Sequence, residues 1–139
     1  SDCSGDAFCA PVTLALRKSA AATALYVFDA QATGLMNRAS LSESQIQDYV
    51  YGKEQEASLH LRAFLAENGA RAMTGILKPA MFPVEEIILS AAHDISSELI
   101  VIGSHGKTGM TKTLLGSVAE KLLRMADRDI LVVPPRQLE

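Results

Sequence analysis

Residues 99–118 read Leu99-Ile100-Val101-Ile102-Gly103-Ser104-His105-Gly106-Lys107-Thr108-Gly109-Met110-Thr111-Lys112-Thr113-Leu114-Leu115-Gly116-Ser117-Val118. An apolar strand leaves into a glycine-rich loop, and the loop runs into an amphipathic helix around Glu120-Lys121-Leu122-Leu123. That order suits a phosphate. Glycines let successive backbone N–H groups curl round an anion without a Cβ in the way, and the following helix adds unpaired N–H groups and the positive end of its dipole. The chemistry implied is nucleotide binding.

Two familiar phosphate motifs do not fit this stretch. Gly106-Lys107-Thr108 copies the end of a P-loop, but the glycine that the motif needs five positions earlier is Val101. The dinucleotide fingerprint fails because His105 stands where its second glycine belongs.

Outward from the loop, the apolar periodicity predicts alternating elements. Ala24-Leu25-Tyr26-Val27-Phe28 reads as a strand, and the polar stretch after Asp29, containing Gly34 and Asn37, reads as a loop. Ser40 and Ser42, each with Glu or Gln three residues on, are overlapping capping boxes ahead of a long helix that stops at Asn68-Gly69. Residues 72–77 form a weaker strand, interrupted by Gly75 and suited to a sheet edge. Pro83 opens a helix whose apolar face is Val84, Ile87, Ile88, Ala91, Ala92 and Ile95. Strand 98–102 feeds the glycine loop, helix 118–126 follows, and Ile130-Leu131-Val132-Val133 is a last strand stopped by Pro134-Pro135. For the first residues two readings stand: a helix over 6–19, or a strand over 12–16.

Helices between successive strands imply right-handed crossovers and an α/β fold with a doubly wound, mostly parallel sheet, whose ligands sit at the carboxyl ends of the strands. The chain opens on Ser1-Asp2-Cys3-Ser4 and passes directly to the 6–19 segment. The expectation is that a short apolar first strand precedes Ser1 in the natural protein, or that the numbering begins after it, leaving four strands.

Length and composition set the remaining bounds. A chain of 139 residues is expected to form one domain, 1–139, large enough to bury a core unaided. Its 16 acidic and 13 basic residues give a net charge of −3, and the basic residues are scattered, which disfavours nucleic acid as a partner. Cys3 and Cys9 are too few for a disulfide framework and wrongly spaced for a redox pair or a zinc knuckle. The chain lacks both a span of about 18 apolar residues and a signal-peptide pattern, so no membrane partner and a cytoplasmic location are expected.

With these residues in hand, the chain resembles the universal stress protein family in its ATP-binding form. The resemblance rests on Gly103, two residues, Gly106, nine residues, then Gly116 and Ser117. It extends from Asp2-Cys3-Ser4, similar to the Asp-x-Ser that closes the family's first strand, to residues 130–133. It implies an adenine nucleotide alpha hydrolase-like fold, with five strands in the order 3-2-1-4-5. It also implies ATP, ADP or AMP as ligand, with Asp2 at the ribose or adenine and Val27 at the adenine. Gly103, Ser104, His105, Gly106, Gly116, Ser117 and Val118 would then hold the phosphates. Mg²⁺ or Mn²⁺ would be carried on the phosphates, with no metal ligands from the chain. The family resemblance further implies a homodimer paired through strand 130–133. One departure concerns the third helix: where the family often has Gly-x-Pro, this chain has Met81-Phe82-Pro83.

Duller explanations stand beside these. Ser117 and Glu120 make a local capping box that needs no ligand, and the two roles can coexist. Lys107 and Lys112 read as solvated side chains or optional phosphate contacts. A nucleophile, base and orienter cannot be assembled from the sequence, so no catalytic residue is assigned. The leading reading is a regulatory nucleotide-binding module of the stress response. The alternatives are a slow ATPase or self-phosphorylating protein, and a sensor domain of a larger transporter or kinase.

Overall fold

The computed structural model describes residues 21–30, 32–104 and 115–134. Among these the elements run β1 (Thr23–Phe28), α1 (Ala32–Arg38), α2 (Glu43–Glu67), β2 (Thr74–Pro79), α3 (Val84–Asp94), β3 (Leu99–Gly103), α4 (Ser117–Met125) and β4 (Asp129–Val133). They divide between two compact units, one of residues 23–87 and the other of 1–22 with 88–139. Both readings of the first segment lie outside the described residues.

In the unit of residues 23–87, β1 and β2 pair in parallel, with Leu25 opposite Ile76 and Tyr26 opposite Leu77. A parallel pair cannot be closed by a hairpin, and the crossover here is the long helix α2. Its start is the capping box expected at Ser42: the Gln45 N–H donates to Ser42 Oγ (3.2 Å), and the Ser42 N–H donates to Gln45 Oε1 (3.0 Å). The overlapping box at Ser40 is not used, because Ser40 already terminates the preceding helix with φ of 56°. The stretch expected as a loop is therefore corrected to a helix, α1. Its Gly34 and Asn37 are exposed, so their poor helix propensity is outweighed by Thr33, which is buried and hydrogen-bonds through both N–H and Oγ1 to the Ala30 carbonyl.

One device closes three helices of this chain. The Leu41 N–H reaches back to the Met36 carbonyl, Ala70 to Leu65, and Ser97 to Ala92, each spanning five residues. The residue before each donor is left-handed: Ser40, Gly69 (φ 69°) and Ser96 (φ 51°). Only the middle one is the glycine that a sequence reader would seek. The strand expected at 72–77 is displaced to Thr74–Pro79, since residues 70–73 are taken up by this turn and the Met73 to Ala70 hydrogen bond. Gly75 serves the packing of that strand: a Cβ there would lie 2.6 Å from Leu61 Cδ2, so its absence lets α2 approach β2 closely. Ala57 and Leu65 of α2 and Phe28 of β1 are buried in this unit.

In the other unit β3 and β4 are also parallel, with Ile100 opposite Ile130 and Gly103 opposite Val133, and α4 is the crossover. Ile100, Ala119 and Leu122 are buried, as are Ala91 and Ala92 of α3. The α/β class with parallel strands is thus as expected. The order 3-2-1-4-5 implies two neighbour pairs among these four strands, and both are present, as two separate two-stranded sheets among the described residues.

Arg128 ties the entrances of β3 and β4 together. Its Nη1 donates to the Ser97 carbonyl (2.8 Å) and its Nε to Asp127 Oδ1 (2.9 Å), with the arginine side chain only 13% exposed. That hydrogen bond, followed by the guanidinium charge, holds the Asp127 carboxyl below the usual carboxylate range. Arg128→Ala is expected to cost about 1–2 kcal/mol in urea unfolding through the lost Ser97 bond. An NMR titration should show the Asp127 midpoint rising. The sign follows: a carboxyl lowered in the folded state supports folding above its unfolded value, and the support is lost as pH falls through the folded one.

Candidate functional site

β3 ends at Gly103, and the next residue, Ser104, is buried. The Ser104 N–H donates to the Val133 carbonyl (2.9 Å), carrying the β3–β4 pairing one residue beyond the strands. Its carbonyl then accepts from the Gly116 N–H at 2.7 Å. A single residue, through its N–H and its C=O, therefore joins the exit of the strand to the entrance of α4. The structure brings Gly103, Ser104, Gly116, Ser117 and Val118 together at the carboxyl end of β3.

Two amides expected to be available for a ligand are engaged within the fold: that of Ser104 by Val133 and that of Gly116 by Ser104. Among the described residues, the donors outside the helix ladder are those of the next three residues. Gly116 is the N-cap of α4, extended at φ −65° and ψ 152°, and makes no side-chain cap bond. The first bond within the helix runs from the Glu120 N–H to the Gly116 carbonyl (2.9 Å). The N–H groups of Ser117, Val118 and Ala119 consequently have no acceptor in the helix ladder. The capping box expected from Ser117 and Glu120 does not form, because Ser117 is the first helical residue and not the cap. The Glu120 carboxylate instead accepts from Arg124 Nη2 at 2.7 Å.

The Ala119 amide was not among the expected site residues. It follows from the helix starting one residue earlier than periodicity suggests, since an extended glycine cap carries no apolar marker. Ala119 is 2% exposed and Leu122 0%, so this face of α4 is fixed by burial while Ser117 is exposed and Val118 half-buried. The electrostatics are those of a helix N-terminus whose first-turn carboxylate, Glu120, is ion-paired with Arg124.

The remaining expected residues fall elsewhere. Asp2, His105 and Gly106, with Lys107 and Lys112, lie outside the described residues. Val27 is a half-buried residue of β1, opposite Lys78 of β2, in the unit of residues 23–87. Among the described residues no group of three His, Cys, Asp or Glu side chains is placed to hold a metal, and no helix is long and apolar enough to cross a membrane.

Comparison with known proteins gives one consistent result. The profile of the universal stress protein family matches residues 1–134. The universal stress protein MJ0531 of Methanocaldococcus jannaschii is 34% identical over 134 residues, which is 96% of this chain and 76% of that protein. The solved structure of the universal stress protein UspA from Lactobacillus plantarum superposes with a TM-score of 0.69 at 23% identity, covering 96% of this chain and 90% of that one. A universal stress protein solved in complex with cAMP has the same fold at a TM-score of 0.51 and 21% identity, over 98% and 90% of the two chains.

The burial of α4 is directly testable. Leu122→Ala should cost about 2–5 kcal/mol by urea unfolding, as expected for an emptied core position. The neighbouring Leu123→Ala, at a residue 50% exposed, should cost no more than about 0.5 kcal/mol.

Proposed function

The chain belongs to the universal stress protein family, and we propose that it is an adenine-nucleotide-binding regulatory member, whose ligand phosphates rest on the N-terminal amides of α4. The observation that carries this reading is the bond from the Gly116 N–H to the Ser104 carbonyl. It sets a glycine at the helix cap, uses that residue's own amide, and leaves three successive amides to an anion. Backbone donors at a helix start suit a phosphate in geometry and in charge. The relative solved with cAMP supports an adenine nucleotide as the class of ligand. ATP is the proposed occupant. Mg²⁺ or Mn²⁺ would ride on its phosphates, and regulation would follow from different nucleotide affinities in two states of the protein.

Proline substitution at the first helical position separates ligand binding from folding. Ser117→Pro removes one amide that the helix does not use, at a position proline favours, and the extended Gly116 before it is compatible. Calorimetric titration with ATP should show affinity falling about tenfold or more, as for a charge-assisted hydrogen bond, with the unfolding midpoint essentially unchanged. Equal affinities in parent and variant would place the phosphates elsewhere, and no binding by the parent would end the nucleotide reading. Mass spectrometry of any small molecule released on denaturation would identify the ligand.

The proposal includes a homodimer through β4. That strand pairs with β3 on one side, and its other edge has no strand partner among the described residues. Light scattering at tens of micromolar should give twice the chain mass, and a monomer mass would remove this part of the proposal.

A further inference from the structure

The outer edge of β2 carries features that a nucleotide site does not use. β1 occupies one edge of β2, and among the described residues no strand pairs with the other. Alongside β2 lies a groove of about 520 Å³, walled by α2 and by one face of the strand. Leu61 and Leu65 come from the helix. Gly75 and Leu77, spaced by two and so on the same side of the strand, come from β2. No residue of β1 lines the groove, which places it at the margin of the sheet.

Two arginines stand on the rim. Arg62 projects from α2 and Arg71 from the turn before β2; both are exposed, and neither has an ion pair or hydrogen bond among the described residues. A solvated surface explains lone arginines, and a blunted edge explains a lone unpaired strand. The groove is where an open backbone ladder, an apolar floor and two guanidinium groups coincide.

We propose that the outer edge of β2 accepts a short, extended, acidic segment of a partner protein as an added strand. Its main chain pairs with the free N–H and C=O groups of β2, apolar side chains on the groove-facing alternation enter over Leu61, Leu65 and Leu77, and carboxylates further along that same alternation meet Arg62 and Arg71, which line the same groove. Pro79 has no N–H and ends the usable ladder, so the segment is limited to the length of residues 74–78. Charge complementarity selects the occupant. With a net charge of −3 over the whole chain, two arginines give a nucleic acid no basic field, but they suffice for paired carboxylates.

The probe is a fluorescein-labelled peptide, acetyl-Glu-Thr-Val-Thr-Val-Thr-Glu-amide, which carries its valines and carboxylates on one alternation, titrated with the full 139-residue chain by anisotropy at low ionic strength. Saturable one-to-one binding is expected, weakened about fivefold or more by combined Arg62→Gln and Arg71→Gln and weakened further by salt. A peptide with proline in place of each valine should not bind, since it lacks the ladder donors, and hydrogen exchange in β2 should slow only with the parent peptide. The proposal is overturned if the parent peptide shows no saturable binding, if the arginine substitutions leave its affinity unchanged, or if the proline peptide binds equally. Dodecanoate binding that the peptide does not displace, or self-association of the chain blocked by Arg62→Gln and Arg71→Gln, would also overturn it by assigning the groove to another occupant.

Discussion

One hydrogen bond organises the carboxyl end of β3. The Gly116 N–H meets the Ser104 carbonyl at 2.7 Å, and the Ser104 N–H meets Val133. Through the two backbone groups of this one residue, Ser104, the strand, its neighbour and the crossover helix are connected. A parallel pair needs its connecting helix to begin at a defined place, because the helix must run back to the amino end before β4 can start. Moving the start of α4 by one residue would rotate its buried face by about 100° and bring Leu122 out of the core. Leu122 and Ala119 fix the rotation of the helix, and the bond at Gly116 fixes where it begins. The three amides left at its start follow from meeting both demands at once.

The helix ends show how a local rule works without its usual residue. A left-handed residue at the end of a helix costs a β-carbon residue on the order of 1 kcal/mol, which is why glycine is sought there. Ser40 and Ser96 adopt it nonetheless. In each case the cost is offset by the five-residue closure that returns the chain toward the next element, by Leu41 to Met36 and by Ser97 to Ala92. At the second turn Ser97 contributes twice more: its hydroxyl donates to the Leu99 carbonyl and its carbonyl accepts from Arg128. The turn before β3 is thereby joined to the start of β4, so the pair is tied at its amino end by a side chain and at its carboxyl end by the backbone.

How much of this was legible depends on where the information is written. Strands β1, β3 and β4 and helices α2 and α3 were readable because their apolar spacing and their punctuation, Ser42 with Gln45, Asn68-Gly69 and Pro83, agree. α1 was hidden because Gly34 and Asn37 argue for a loop, and the Thr33 to Ala30 bonds that nucleate it depend on burial, which composition does not record. The end of α3 was read one residue too far: Ile95 continues the apolar spacing, yet it is 45% exposed and lies beyond the helix. Gly75 was read as a weakness in a strand, whereas it is a contact surface for Leu61. For the candidate site, Gly103 and Gly116 mark the end of β3 and the cap of α4, but the donors between them cannot be ranked from sequence. Which amides are consumed by carbonyls is a property of the closed structure.

The residues that mark the candidate site in the sequence therefore only partly coincide with the amides left outside the helix ladder. Gly116 is visible as a motif position, yet its amide is occupied internally. Ser117, Val118 and Ala119 offer theirs almost regardless of side chain, because a peptide N–H is present in every residue except proline. The proposed site, resting on main-chain groups, requires only that the cap stay extended and the helix stay seated. The same reasoning applies to the proposed strand addition at the outer edge of β2, where the ladder is main chain and Arg62 and Arg71 supply the charge. At both places the backbone sets the geometry of an interaction, and the side chains around it decide its charge and its partner.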